Sequence, residues 1–271
     1  MDRSTGLAAN GFLKIAGQRL EYTHAGPQPS AAPAIVLLHE GLGCAGLWGD
    51  FRETLSQATG CGVFAWSRGG YGKSSPVDLP RPITYMHEEA QQVLPALLDR
   101  IAAKQVILAG HSDGASIAAI YAGSFRDPRL AGISLMAPHF FLEELSITSI
   151  REAKVAYETT DLRSKLARWH ENVDVAFYGW NDAWCNPDFH NWDLREYLPR
   201  ISVPVQIIQG EDDQYGTVHQ LEAAREQCNV EVETHLLPGI KHSPYRETPD
   251  VTCGLIARFA GRVLGDGRNG L

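Results

Sequence analysis

Three groups of side chains in this 271-residue chain could act together on a carbonyl carbon. Ser112 stands between glycines in VILAGHSDGAS, directly after an apolar run and before an alanine-rich segment. A hydroxyl attacks a carbonyl only with a base to take its proton, a carboxylate to orient that base, and donors for the developing oxyanion. GEDDQYG offers Glu211, Asp212 and Asp213 as the carboxylate, and LLPGIKHSPY offers His242 as the base. GHSDG fits G-x-S-x-G with a strand pattern before it and a helix pattern after it. At such a sharp turn the serine backbone is strained and its hydroxyl projects clear of the sheet. Gly110 and Gly114 are then required because strand and helix pass closely there. A helix N-cap is the plainer role for Ser112, but the order Ser, Asp, His along the chain favours the nucleophile.

The elements that must position these groups alternate in type. FLKIAGQRLEYTHAG reads as a hairpin turning at Ala16 and Gly17. The apolar runs 34–40, 62–67, 105–110, 132–138 and 205–210 are separated by helix-period segments, and VETHLLPG and DVTCGLIARFAGRVL close the chain. Continuous apolar runs predict strands covered on both faces, and their alternation with helices predicts a mostly parallel, doubly wound α/β sheet. Residues 141–200 break the pattern. They are helix-rich and carry four of the six tryptophans, and so long an insertion has structure of its own. The expectation is a core formed by 1–140 and 201–271, with 141–200 as a helical cap over the sheet edge where ligands bind. GDGRNGL reads as a disordered tail.

Composition narrows the function classes. A net charge of −8 gives no basic footprint for nucleic acid or an anionic membrane. The N-terminal MDRSTGLAANGF lacks the apolar segment of a signal peptide, and no apolar run reaches membrane-spanning length. Cys44, Cys61, Cys185, Cys228 and Cys253 are scattered without metal spacing. A cytoplasmic protein acting on a small molecule is expected.

Five short motifs in register resemble the α/β-hydrolase superfamily across nearly the whole chain: HEGLG, WSRGGYGKS, GHSDG, GEDD and GIKH. The resemblance implies Ser112 as nucleophile, His242 as base and Asp213, third after Gly210, as the orienting acid. It implies oxyanion donors from the Asp113 N–H and from the turn after His39, either Gly41 or Leu42. It implies no metal, nucleotide or flavin. Glu40 departs from the pattern, standing where the family usually has glycine. It would be either an inert surface carboxylate or a charge that tunes His242 or holds a water at the substrate site. His39 is expected to bond backbone in its turn, His111 to pack away from the cleft, and the side chains of Asp113 and Asp182 to be capping or surface acids. His24, His87, His139, His170, His190, His219 and His235 show no metal spacing. Of the rings Tyr157, Trp169, Phe177, Tyr178, Trp180, Trp184, Phe189 and Trp192, about a third should face the cleft, with Trp180 and Trp184 foremost. The activity expected is hydrolysis of an ester or thioester with an apolar or aromatic acyl group through an acyl-enzyme. Carbon–carbon hydrolysis of a ring-fission diketone or lactone opening would use the same residues, and a ligand-binding receptor could use the same scaffold.

Overall fold

The computed structural model describes residues 6–265. The first five residues and the part of the GDGRNGL tail beyond Gly265 lie outside the described residues. β1 (Asn10–Ile15) and β2 (Gln18–Ala25) form the expected hairpin. Its turn places Ala16 and Gly17 at positive φ, 48° and 81°. β3 (Ala34–Leu38) leads to α1 (Phe51–Thr59), and β4 (Gly62–Trp66) to a helical stretch built of α2 (Tyr85–Glu88), a π turn (Glu89–Val93) and α3 (Leu94–Arg100). The sequence reads this stretch as one helix. The π turn arises where Pro95, having no N–H, cannot donate to the preceding turn and the regular ladder breaks.

β5 (Val106–His111), α4 (Asp113–Ser124) and β6 (Leu130–Met136) follow. The long interval then holds α5 (Glu144–Thr159), α6 (Leu162–Leu166), α7 (Val173–Trp184) and two 3-10 segments, Pro187–Asn191 and Arg195–Arg200. Its two ends meet where Phe141 pairs with Asp193. β7 (Val205–Gly210), α8 (His219–Gln227), β8 (Val232–Leu237), α9 (Pro244–Glu247) and α10 (Pro249–Val263) complete the chain. The strands form one eight-stranded sheet in the order β1-β2-β4-β3-β5-β6-β7-β8. β2 runs antiparallel to its neighbours, and every pairing from β4 to β8 is parallel.

Both faces of this sheet are covered, which is why the central strands are apolar throughout. Ile35 and Leu37 pack with Phe51, Leu55, Ile256 and Phe259 of α1 and α10. Val36 and Leu38, alternating with them, pack on the opposite face with Leu94 of α3 and Ile117 of α4. α4 is buried on every side, and its small residues let it lie close under the strands. Among the described residues no helix is long and apolar enough to cross a membrane.

The tightest passage is between β5 and α4. A Cβ on Gly110 would stand 2.3 Å from the Gly114 carbonyl oxygen, and one on Gly114 would stand 2.1 Å from that of Leu38. Neither obstacle is a side chain that could swing aside. Gly114→Ala is therefore expected to destabilise the protein by about 3 kcal/mol in urea unfolding. Gly254→Ala, in the open middle of α10 with only Arg258 Nη1 at 3.6 Å, should be neutral or stabilising by up to about 1 kcal/mol. Equal effects at the two sites would contradict this account of the crossing.

Candidate active site

Ser112 occupies the turn between β5 and α4 with φ 52° and ψ −119°. This is a costly backbone for a residue with a Cβ. A neighbouring strand and the first turn of α4 hold it there: its N–H donates to Met136 O of β6 (2.9 Å), while its carbonyl accepts from the Ala115 and Ser116 N–H groups at 2.8 and 3.0 Å. The hydroxyl makes no capping hydrogen bond to α4, so the N-cap role is not the one it plays.

Asp213 and His242 meet. The Asp213 carboxylate lies at the end of β7 and accepts from the Tyr215 N–H at 2.8 Å. Its oxygens lie 2.8 and 3.0 Å from His242 Nδ1. Asp212, its neighbour, is exposed. Gly210 makes the approach of the two loops possible, since a Cβ there would stand 2.0 Å from the Ile240 carbonyl oxygen. The Asp212 N–H donates to that same oxygen at 2.9 Å. The backbone around His242 is held on both sides. Lys241 and Ser243 donate their N–H groups to the Glu247 carboxylate, and the His242 carbonyl accepts from His111 Nε2 at 2.7 Å. Burial would raise the Asp213 carboxyl, but the His242 charge and hydrogen bond and the Tyr215 N–H outweigh it and hold the group below the usual carboxylate range.

A cavity of about 250 Å³ is lined by Ser112, His242, Gly41, Leu42, Trp180 and Trp184 among others. Asp213 supports it from behind His242. The turn after His39 closes on itself through the Gly43 N–H to Glu40 O at 3.1 Å. Neither the Gly41 nor the Leu42 N–H has a backbone acceptor among the described residues. As the first residue of α4, Asp113 likewise has an N–H free of the helical ladder.

The model of the alpha/beta hydrolase family matches residues 35–255. The chain belongs to that family. No curated protein sequence matches it at a significant level. Solved structures share its fold at low identity. An esterase from a Rhodococcus species has a TM-score of 0.74 at 17% identity, covering 94% of this chain and 100% of its own. An enol-lactonase from Burkholderia xenovorans has 0.71 at 20%, covering 92% and 99%. A proline iminopeptidase from Mycobacterium smegmatis has 0.71 at 18%, covering 93% and 98%.

Within this alpha/beta hydrolase several expectations need correction. The Asp113 carboxylate is neither a cap nor a surface group but is fully buried. It accepts from the Tyr85 hydroxyl and lies 3.6 Å from the Arg68 guanidinium. Tyr85 in turn accepts from the Trp184 indole N–H at 2.9 Å. Glu40 is not an inert surface carboxylate. Only 15% of its side chain is exposed, Arg246 pairs with it at 2.9 Å, and His111 Nδ1 lies 3.4 Å away. Burial would raise its carboxyl, yet His111 and then Arg246 hold it well below the ordinary range. His111 packs as expected: its side chain is fully buried, edge-on to the Tyr245 ring, with Nε2 donating to the His242 carbonyl. His39 behaves as expected, with Nδ1 donating to Glu40 O (2.7 Å) and Nε2 accepting from the Arg68 N–H. Asp182 is a surface acid paired with Lys154.

Arg68, Tyr85, Glu247 and His139 were not singled out in the sequence as site residues. Arg68 had a signal, its place in WSRGGYGKS; the other three had none. Of the eight rings named from the sequence, Trp180 and Trp184 line the cavity. Tyr157 and Phe177 instead stack on each other at 3.7 Å, as do Phe189 and Trp192 at 5.2 Å, and Trp169 is 44% exposed. Among the described residues no group of three or more His, Cys, Asp or Glu is placed to hold a metal.

His139 lines the cavity 5.7 Å from the His242 ring. Burial, then the nearby His242, push its pKa down to about 3, with Asp213 opposing. Its neutral form is therefore the folded form. Below the unfolded value near 6.5 the unfolded chain takes up a proton that the folded one refuses, so stability falls as pH falls toward about 3, by about 1.4 kcal/mol per pH unit. In His139→Gln that slope is removed. The stability gap between wild type and variant, measured by urea unfolding, should move against the wild type by roughly 2 kcal/mol between pH 6.5 and 4.5. A constant gap would mean that His139 is protonated within the folded protein.

Proposed function

We propose that this alpha/beta hydrolase is a serine hydrolase that cleaves a carboxylic ester or thioester with a small apolar or aromatic acyl group. The observation that carries the reading is Ser112, held at a strained elbow on the same cavity as His242, whose Nδ1 is held by Asp213 at 2.8 Å. His242 Nε2 takes the Ser112 proton as Oγ attacks the carbonyl. Asp213 keeps the imidazole in the tautomer with its proton on Nδ1 and stabilises the cation that forms. The oxyanion rests on the Asp113 N–H and on Gly41, with Leu42 the other donor in that turn. The protonated His242 gives its proton to the leaving alcohol or thiol. Water, deprotonated by the same imidazole, then releases the acid.

Residues 141–200 are read as a cap on a core of 1–140 and 201–271, with its neck where Phe141 meets Asp193. Trp180 and Trp184 form its cavity wall. Glu40, ion-paired with Arg246, borders the substrate as a carboxylate fixed beside the oxyanion turn. The cavity, about 250 Å³, is at the small end for ligand sites, which supports a short or single-ring acyl group. Five free thiols suit a reducing cytoplasm.

The reading is tested with a fluorophosphonate probe. It should label Ser112 in the wild type, while a folded Ser112→Ala protein should neither label nor turn over an ester. Asp213→Asn should lower kcat by about 10⁴, and Asp212→Asn by roughly tenfold or less. A crippled Asp212→Asn beside a near-normal Asp213→Asn would reverse the acid assignment. A panel of p-nitrophenyl esters, acyl thioesters, lactones and vinylogous diketones separates ester cleavage from its alternatives, and binding without turnover would indicate a receptor.

The two tryptophans should differ. Trp180→Ala opens the wall and should shift the kcat/KM ratio toward bulkier acyl groups by about tenfold. Trp184→Ala also removes the donor to Tyr85 and should lower kcat for every acyl length. Equal scaling of all substrates by both variants would remove these rings from the specificity wall.

A further inference from the structure

His170 lies in the break between α6 and α7, outside the residues so far given a role. It is buried, with 3% of its surface exposed. The Gly72 N–H donates to its Nδ1 at 2.9 Å, and its Nε2 lies 3.0 Å from Leu42 O. A backbone N–H can only donate, so Nδ1 is the acceptor and the ring proton sits on Nε2, donating to Leu42 O. The next residue continues the attachment: the Glu171 N–H donates to Gly72 O at 2.9 Å. Tyr71 sets its ring edge-on to the imidazole, 6.0 Å between centres. One imidazole thus joins three separate pieces of chain, the α6–α7 connection, the turn at Gly72 and the turn after His39.

The contact at Leu42 bears on the chemistry of that turn. A peptide is planar with C=O and N–H pointing in opposite directions, so whatever holds one end aims the other. The Glu40 carbonyl accepts from Gly43 N–H, His39 Nδ1 and Arg68 Nη2, which fixes the direction of the Gly41 N–H from the core side. The Leu42 carbonyl is held by His170, and the Gly43 N–H on the same peptide is held by Glu40 O. With both flanking peptide planes fixed, the Gly41–Leu42 peptide between them has little freedom left. Burial also lowers the His170 pKa, with the Leu42 carbonyl opposing, which keeps the ring in the neutral form that these two hydrogen bonds need.

We propose that His170 is a positioning residue for the oxyanion turn, a strut from the segment between α6 and α7 that aims the Gly41 or Leu42 N–H at the substrate carbonyl. The proposal rests on the reading of Ser112 as an acyl-transfer nucleophile. It adds that the cap is not only a wall for the acyl group: docking of the α6–α7 connection and completion of the oxyanion site become one event. The strut touches no substrate, so its loss should act on the transition state, where negative charge develops on the carbonyl oxygen, and leave ground-state binding alone.

The test compares His170→Leu and His170→Gln on a p-nitrophenyl ester that the wild type hydrolyses, with folding checked by thermal melting. Glutamine can accept from Gly72 through Oε1 and donate to Leu42 through Nε2; leucine can do neither. His170→Leu should lose kcat by about 10- to 100-fold, less than removal of an oxyanion donor itself, with KM within about twofold. His170→Gln should regain most of the loss. If the leucine protein does not fold, His170→Asn, too short to span both partners, replaces it with the same expectation. A kcat of the leucine form within threefold of wild type, a rise in its KM without loss of kcat, or equal impairment of the glutamine and leucine forms would each overturn the proposal. Fluorophosphonate labelling of wild-type Ser112 is run beside it. Absence of labelling defeats the nucleophile reading itself, whereas labelling with unaffected His170 variants defeats only the strut.

Discussion

The site is organised around the crossing of β5 and α4, where backbone meets backbone with no room for a side chain at Gly110 or Gly114. A non-glycine residue at φ 52° costs about 1–3 kcal/mol and persists only where its surroundings over-determine it. Here they do, through the Met136 carbonyl on one side and the first turn of α4 on the other. Because Gly114 lies against the Leu38 and His39 carbonyls, the same crossing sets how far Ser112 stands from the turn that begins at His39. The geometry on both sides of the cavity thus derives from one contact between main chains.

Buried charge then fixes what the crossing leaves free. The Arg68–Asp113 pair is almost wholly removed from water, and such pairs contribute little net stability because desolvation opposes their attraction. Their partners explain their use here. Arg68 donates to the His39 and Glu40 carbonyls, and Asp113 accepts from Tyr85, so charged hydrogen bonds hold backbone that no regular element would hold. The His242 loop repeats the device with Glu247 on its N–H groups and His111 on its carbonyl. A short, polar loop is thereby held at both its N–H groups and its carbonyl.

Between β6 and β7 the chain divides its aromatic residues between two tasks. Tyr157 with Phe177, and Phe189 with Trp192, pack against each other within the cluster that also covers one face of the sheet. Trp180 and Trp184 reach the cavity. The break at His170, between two short helices, returns a polar side chain to the main body at Gly72 and Leu42.

Much of this was legible in the sequence, because it depends on local rules. Runs such as AIVLL and VILAGH are apolar without alternation because both faces are covered, so the parallel sheet and its helices follow from residue order alone. Gly110 and Gly114 around Ser112 announce a close strand-to-helix turn, since only glycine tolerates it. Contacts across large sequence separations have no such signature. Nothing in HEGLG says that Glu40 will find Arg246, nothing in GHSDG says that Asp113 will be buried against Arg68, and nothing in KLARWHENV marks a helix break whose histidine reaches back to Leu42. Those pairings depend on where folded segments come to rest in three dimensions, and a side chain's partners there are set by packing and desolvation rather than by its neighbours along the chain.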